Sequence, residues 1–236
     1  NKSRTERMAQ GLFIAEGEHM AQEAIQNNAA CTLIAAESAQ DKFKAMLSCG
    51  LPTYVLSDHV FSSLCDAKTP HGILALCPYP QEAAVSTLGQ RIVCLNGVQD
   101  PGNVGTILRT LDAAGFSGCI LTPGCADPYA PKALRATMGS ALRIPLSFVD
   151  SAVEAVEVLN QRGYATIAAS LDGEPFYQRE ALSEQVCVLI GNEGQGLTPQ
   201  AQAACTHRYK LPMRGGSESL NAGIAAAVMM YDLMNR

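Results

Sequence analysis

Three short stretches of this chain place polar side chains where an ordinary loop would not need them. The first runs Asn96-Gly-Val-Gln-Asp-Pro-Gly-Asn103-Val-Gly105-Thr-Ile-Leu-Arg109. Asp100-Pro-Gly reads as a turn, and Asn103 then stands where a helix wants its N-cap. Gly105 keeps the first helical turn low enough for another backbone to approach. Arg109 follows Asn103 by nearly two turns, so the two are expected to share a helix face. An arginine among Thr106, Ile107, Leu108 and Leu111 suits a phosphate or carboxylate partner. The plainer reading is a capped loop with a surface arginine.

The second stretch is Ile190-Gly191-Asn192-Glu193-Gly194-Gln195-Gly196-Leu197. Its glycines permit positive φ and close backbone approach to a ligand. Glu193 is the only carboxylate of the turn. The pattern is neither GxGxxG nor a Walker loop, which disfavours a dinucleotide or ATP phosphate site. The plainer reading is a tight turn with a solvated glutamate. The third stretch, Leu211–Leu233, is LPMRGGSESLNAGIAAAVMMYDL. An extended apolar segment meets a Gly215-Gly216 turn, and Ser217, Ser219 and Asn221 precede a helix with almost no charge. One of those three can simply cap that helix. Ile224, Val228 and Tyr231 share one spacing and Ala225, Met229 and Leu233 another, which reads as core packing.

The elements around these stretches fall into two halves. In the first, LFIAEGEH opens and a helical run follows to about Asn27. CTLIAAE, PTYVLS and HGILALC read as strands, with AQDKFKAMLSCG and DHVFSSLC helical between them. This first domain covers residues 1–78, and the Pro-, Ser- and Gly-containing stretch 79–90 reads as a linker. The second domain, 91–236, restarts the alternation. IVCLNGV, GCILTP, IPLSFV, ATIAAS, VCVLIGNE and YKLPM read as strands. Asn103–Ala114, PKALRATMGS, SAVEAVEVLNQRG, TPQAQAAC and Leu220–Met234 read as helices. Such alternation predicts an α/β chain with a mostly parallel sheet covered on both faces. Ligands of such sheets lie outside the carboxyl ends of the strands.

Composition allows a sizeable core: of 236 residues, 47% are hydrophobic and 17% charged. Nine cysteines occur singly with no CxxC pair, so reduced, buried thiols in a cytoplasmic protein are expected rather than disulfides or a zinc site. His19, His59, His71 and His207 are not at ligand spacing, and no metal is expected. No run of 18 apolar residues and no basic-then-apolar leader is present, so no membrane span is expected. The net charge of −5 counts against a whole-surface nucleic-acid binder, but not against a local basic site. Lys2, Arg4 and Arg7, with Arg109, Lys132, Arg135, Arg143 and Arg214, are candidates for one.

In order, the three stretches resemble the signature motifs of the SpoU (TrmH-like) RNA 2′-O-ribose methyltransferases of the SPOUT superfamily. NGVQDPGNVGTILRTLDAAGF resembles the first, VLIGNEGQGLT the second and LPMRGGSESLNAGIAAAVMMYD the third. DPYAPKALRATMGSALRIP resembles the segment between the first two. FIAEGEHMAQEAI and TPHGILAL resemble the L30e-like substrate-binding domain that precedes the catalytic domain in many members. The resemblance implies a SPOUT fold whose C-terminal part makes a trefoil knot, a cofactor S-adenosyl-L-methionine (AdoMet) held in the knot, a homodimer, and an RNA substrate. Ribosomal RNA is the first expectation and tRNA the second. By the same resemblance Gly191, Leu211 and Leu220 hold AdoMet, with Ile190, Gly194, Gly196 and Met213 lining the same pocket. Asn103, Arg109, Glu193, Ser219 and Asn221 match the catalytic set. Gly223 stands where a serine or other small residue is more usual, and His71 where glutamine is common.

The chemistry implied is in-line displacement at a sulfonium methyl by a ribose 2′-hydroxyl. A guanidinium is an awkward base, so Arg109 is expected to hold the adjacent phosphate and stabilise alkoxide charge. A phosphate oxygen or water then takes the proton. Three rival readings stand beside this one: a non-catalytic RNA-binding relative, a Rossmann-type nucleotide enzyme, and a base-nitrogen methyltransferase. The intact set of polar residues disfavours the first, the missing GxGxxG the second, and the Ser-Leu-Asn set the third.

Overall fold

The computed structural model describes residues 3–235, so Lys2 lies outside the described residues. The chain forms two compact units, residues 1–81 with 127–143, and residues 82–126 with 144–236.

The first unit opens with α1 (Arg4–Gln10), an element that apolar periodicity did not indicate. Ser3 caps it by accepting the Glu6 amide, and Gly11 ends it at φ 66°. Then come β1 (Leu12–Glu16), α2 (Glu18–Gln26), β2 (Thr32–Ala36), α3 (Lys44–Leu47), β3 (Thr53–Leu56), α4 (Asp58–Leu64) and β4 (Ile73–Pro78). The sheet order is β1-β4-β2-β3. β4 runs antiparallel to both β1 and β2, and only β2–β3 is parallel.

The second unit begins with β5 (Arg91–Asn96), α5 (Pro101–Ala113) and β6 (Gly118–Leu121). The chain then contributes α6 (Pro131–Thr137) to the first unit. It resumes with β7 (Leu146–Phe148), α7 (Ala152–Gln161), β8 (Ala165–Pro175), β9 (Val186–Gly191), α8 (Pro199–Ala204), β10 (His207–Lys210) and α9 (Ala222–Met234). The order β10-β8-β9-β5-β6-β7 is parallel at every pairing. Its centre is a run of fully buried residues, Ile92 to Leu95 on β5 and Cys187 to Leu189 on β9. Such unbroken apolar strands are what a sheet covered on both faces requires.

Two side-chain clusters shape what is left for binding. In the first unit Arg7 is buried and pairs with Asp127 at 2.5 Å, beside the packed rings of Phe13, Tyr79 and Tyr129. Arg135 pairs with Asp66 at 2.8 Å, and Arg143 pairs with Glu23. Arg7 is therefore a structural residue, not the exposed RNA contact its position suggests. In the second unit the buried Arg179 guanidinium lies over Phe176 at 3.9 Å and pairs with Asp232 of α9.

All nine cysteines are free thiols. Burial holds the Cys94, Cys119 and Cys187 thiols protonated far above the ordinary range, and pushes Cys77 and Cys205 up to about 12. The expectation of buried thiols fails at Cys31 and Cys49, which are exposed. Among the described residues no helix is long and apolar enough to cross a membrane.

Candidate cofactor pocket and active site

The loops after β5, β9 and β10 lie at the carboxyl ends of parallel strands of one sheet, where open α/β sheets bind ligands. A cavity of about 640 Å³ opens there. Ile190, Gly191, Glu193, Gly194, Gly196, Leu211, Met213, Ser219, Leu220 and Asn221 all line it.

The β9 loop owes its shape to Asn192. The Asn192 and Gly196 backbones exchange hydrogen bonds, with Gly196 N–H donating at 2.8 Å. The Asn192 Oδ1 accepts the amides of Gly194 at 2.9 Å and Gln195 at 3.0 Å, and its Nδ2 donates to the Gly97 carbonyl at 2.9 Å. One side chain thus folds its own turn and ties it to the β5 loop. Sequence reasoning missed Asn192, although an asparagine leading a glycine-rich turn is the usual signal for such a self-capping turn. The three glycines do different things. A Cβ on Gly191 would stand 2.3 Å from the Gly196 carbonyl carbon, Gly196 has φ +69°, and Gly194 has its nearest neighbour at 3.6 Å. Gly191 is therefore required by the loop's own backbone.

The β5 loop differs from the expectation at Asn103. The N-cap of α5 is Asp100, whose Oδ1 accepts the Asn103 amide at 2.9 Å, with Pro101 preset at the first helical position. Relieved of capping, the buried Asn103 side chain bridges the other two loops. Its Nδ2 donates to Glu193 Oε1 at 2.8 Å, and its Oδ1 accepts from Asn221 Nδ2 at 2.9 Å. The Asn221 Oδ1 meanwhile caps α9, accepting Gly223 and Ile224 amides at 2.9 and 3.3 Å. Gly223 fits this crossing tightly, since a Cβ there would meet Asn221 Oδ1 at 3.2 Å and Thr106 Cγ2 at 3.3 Å.

Glu193 completes the network. Its carboxylate accepts the Gln99 and Asp100 amides, each at 3.1 Å, besides Asn103. Partial burial pushes its pKa up, but the Asn103 amide and the backbone donors outweigh burial and leave it below the usual glutamate range. The sign follows: the ionised latch is complete above the unfolded glutamate pKa and is lost only as pH falls through the depressed folded one. Ligand affinity should hold flat from neutrality to below the ordinary glutamate pKa, about 4.3, and fail only as pH falls through the depressed folded one. Glu193→Gln keeps one acceptor but turns a donor toward donors. It should weaken AdoMet binding about tenfold at pH 7 and remove the acid limb. Calorimetric titration from about pH 3 to 8 reads both, and an unchanged acid limb in the variant contradicts the assignment.

Arg109 is not brought to the cavity. Six residues of helix rotate by about 600°, one full turn plus about 240°, so Arg109 does not share the face of Asn103. Asn103 is buried while Arg109 is exposed, and Arg109 has no hydrogen bond or ion pair among the described residues. Arg214 is exposed as well. Ser219 lines the cavity without a hydrogen bond to a described residue.

The cavity also has a wall that sequence reasoning missed. β10 pairs Arg208 with Ala168 but Tyr209 with Glu174, so the stretch 169–173 leaves the ladder. Ala169, Ser170, Leu171 and Asp172 of that excursion line the cavity, and Leu171 is 67% exposed. Gly173 lets it return, since a Cβ there would lie 2.5 Å from the Arg208 carbonyl oxygen. Asp172-Gly173 inside an otherwise strand-like run was the available signal. The last strand also ends earlier than YKLPM suggested. Leu211 and Met213 lie beyond β10, free to face the cavity.

Comparison with known proteins gives a consistent result. The SpoU rRNA Methylase family profile matches residues 90–231, and the MRM3-like substrate binding domain profile matches residues 2–75. The chain is 33% identical over 237 residues to the 23S rRNA (guanosine(2553)-2′-O)-methyltransferase RlmP of Bacillus subtilis strain 168, covering 98% of this chain and 92% of that protein. It is 30% identical over 232 residues to an uncharacterized tRNA/rRNA methyltransferase, slr1673, of Synechocystis, covering 96% and 85%. Among solved structures, the AdoMet-bound rRNA methyltransferase of Sinorhizobium meliloti superposes with a TM-score of 0.86 at 26% identity, covering 99% and 91%. AviRb of Streptomyces viridochromogenes, at 24% identity and a TM-score of 0.87, shares the fold.

Proposed function

We infer, from the premise that this chain belongs to the SpoU rRNA methylase family, that it transfers a methyl group from AdoMet to a ribose 2′-hydroxyl of ribosomal RNA. The observation that carries this reading is the meeting of the second and third motif loops on one cavity, tied to the first motif by the Asn221–Asn103–Glu193 hydrogen-bond chain.

The cavity suits AdoMet. Its volume is within the range of ligand pockets, about 300–1,000 Å³. Its walls combine apolar Ile190, Leu197, Leu211, Ala225 and Met229 with glycine backbone, and no lysine, arginine or histidine among them opposes a sulfonium. Gly191, Leu211 and Leu220, with Ile190, Gly194, Gly196 and Met213, would hold it. AdoMet supplies an electrophilic methyl on positively charged sulfur.

The chain's residues do the rest by placement. Arg109, exposed and unengaged by described residues, holds the phosphate beside the target ribose and stabilises negative charge growing on its oxygen. Its guanidinium stays protonated, so a phosphate oxygen or water accepts the proton. Asn103 and Glu193 keep the loops in register rather than moving protons, and Ser219 is the free hydroxyl that positions the ribose.

A homodimer through α9 is supported by a stripe the helical spacing marked as core. Ile224 is 50% and Tyr231 43% exposed, with Leu220 beside them, while Ala226, Met229 and Met230 are buried. A helix apolar on both sides wants a second partner. A trefoil knot is supported by the route from β10, at the sheet edge, back through 211–221 to α9 packed on α5 and β9. We place the enzyme in the cytoplasm with its ribosomal substrate. Transfer of tritiated methyl to fractionated RNA tests the substrate class. Label in 23S rRNA is the expected result, and label confined to tRNA overturns it.

A further inference from the structure

We propose that Glu218 makes the pocket discriminate between the charged methyl donor and its spent product, an inference that rests on reading this cavity as the AdoMet site. Three carboxylates line the cavity, Asp172, Glu193 and Glu218, with no cationic side chain in the wall. They are not equivalent. Glu193 is engaged by Gln99, Asp100 and Asn103 donors. Asp172 accepts from the Ser170 hydroxyl, and its Oδ2 stands 3.8 Å from Arg208 Nη1, which offsets its charge. Glu218, on the exposed loop before α9, has no hydrogen bond or ion pair among the described residues. Its charge is thus the one wall charge not already matched.

Methyl transfer changes the charge of what the pocket holds. The sulfur–methyl bond breaks with its electron pair left on sulfur, the methyl–oxygen bond forms, and the hydroxyl proton leaves to phosphate or water. A sulfonium becomes a neutral thioether. A carboxylate with no other partner attracts the first and gains little from the second, so Glu218 favours donor entry and product exit. At a solvated pocket edge one such charge is worth about three- to tenfold in relative affinity.

Calorimetric titration of AdoMet and S-adenosylhomocysteine into the full chain tests this. Glu218→Gln should lower the preference for AdoMet over S-adenosylhomocysteine by about three- to tenfold, and the difference should shrink near 0.5 M salt. Glu218→Asp should keep the preference. Sinefungin, with a protonated amine in place of the sulfonium, should follow AdoMet. A Gln variant that weakens both ligands equally, or changes neither, overturns the proposal, because a merely structural loop residue would do the same. Wild-type protein that binds neither ligand overturns the reading of the cavity and this inference with it.

Discussion

Arg109→Ala is expected to lower methyl transfer about a hundred- to a thousandfold while leaving AdoMet affinity within about twofold. The separation follows from where Arg109 sits. It is exposed on α5, does not line the cavity, and pairs with no described residue. Its removal leaves no hole and no orphaned charge, so stability should change by no more than about 0.5 kcal/mol. On the proposed role, what is lost is a charge-assisted hydrogen bond to phosphate and a positive charge beside the reacting oxygen, together about 3–4 kcal/mol at the transition state. Arg109→Lys keeps the charge and loses the fork, so it should recover only part of the rate. Single-turnover transfer with saturating AdoMet reads the first effect and calorimetry the second. Lost AdoMet binding, or an unchanged rate, contradicts the role.

Gly191→Ala should have the opposite signature, with AdoMet affinity falling about a hundredfold or more, and RNA transfer falling because the methyl donor is absent. The added Cβ would lie 2.3 Å from Gly196 C, 2.4 Å from Leu197 N and 2.6 Å from Gly196 O. Those are backbone atoms, so no side chain can swing aside. The turn must open, and with it the Asn192–Gly196 bonds that shape the cavity floor. The strain should also cost about 1–3 kcal/mol of stability. Gly215→Ala is the internal control: its φ is not positive, nothing lies within 4 Å of the added Cβ and it does not line the cavity, so binding should be nearly unchanged. Equal affinity in the Gly191 variant and the wild type would show that the loop tolerates opening.

Much of this architecture is legible in the residues, and the parts that are not share a cause. β5 and β9 announce themselves as unbroken apolar runs because both faces are covered. The polar residues of the three loops stand out because strands and helices around them are so apolar. Asn103 was placed as a cap because a local rule favoured it. Its actual partners are 90 and 118 residues away, and no local rule sees them. The excursion at 169–173 was hidden because it arises from a register shift against β10, a later strand. Arg7 looked like surface charge until Asp127 supplied a buried partner. The Ile224–Val228–Tyr231 stripe was read as core because spacing reports that a helix face is apolar, not which molecule covers it.

The account stands or falls on what becomes methylated. Incubating the full chain with tritiated AdoMet and unmodified ribosomal RNA, then digesting to nucleosides, separates ribose from base methylation directly. The proposed function predicts all label in a 2′-O-methylnucleoside, and about a hundred- to a thousandfold less of it after Arg109→Ala. Label on a base nitrogen or carbon would contradict the central claim.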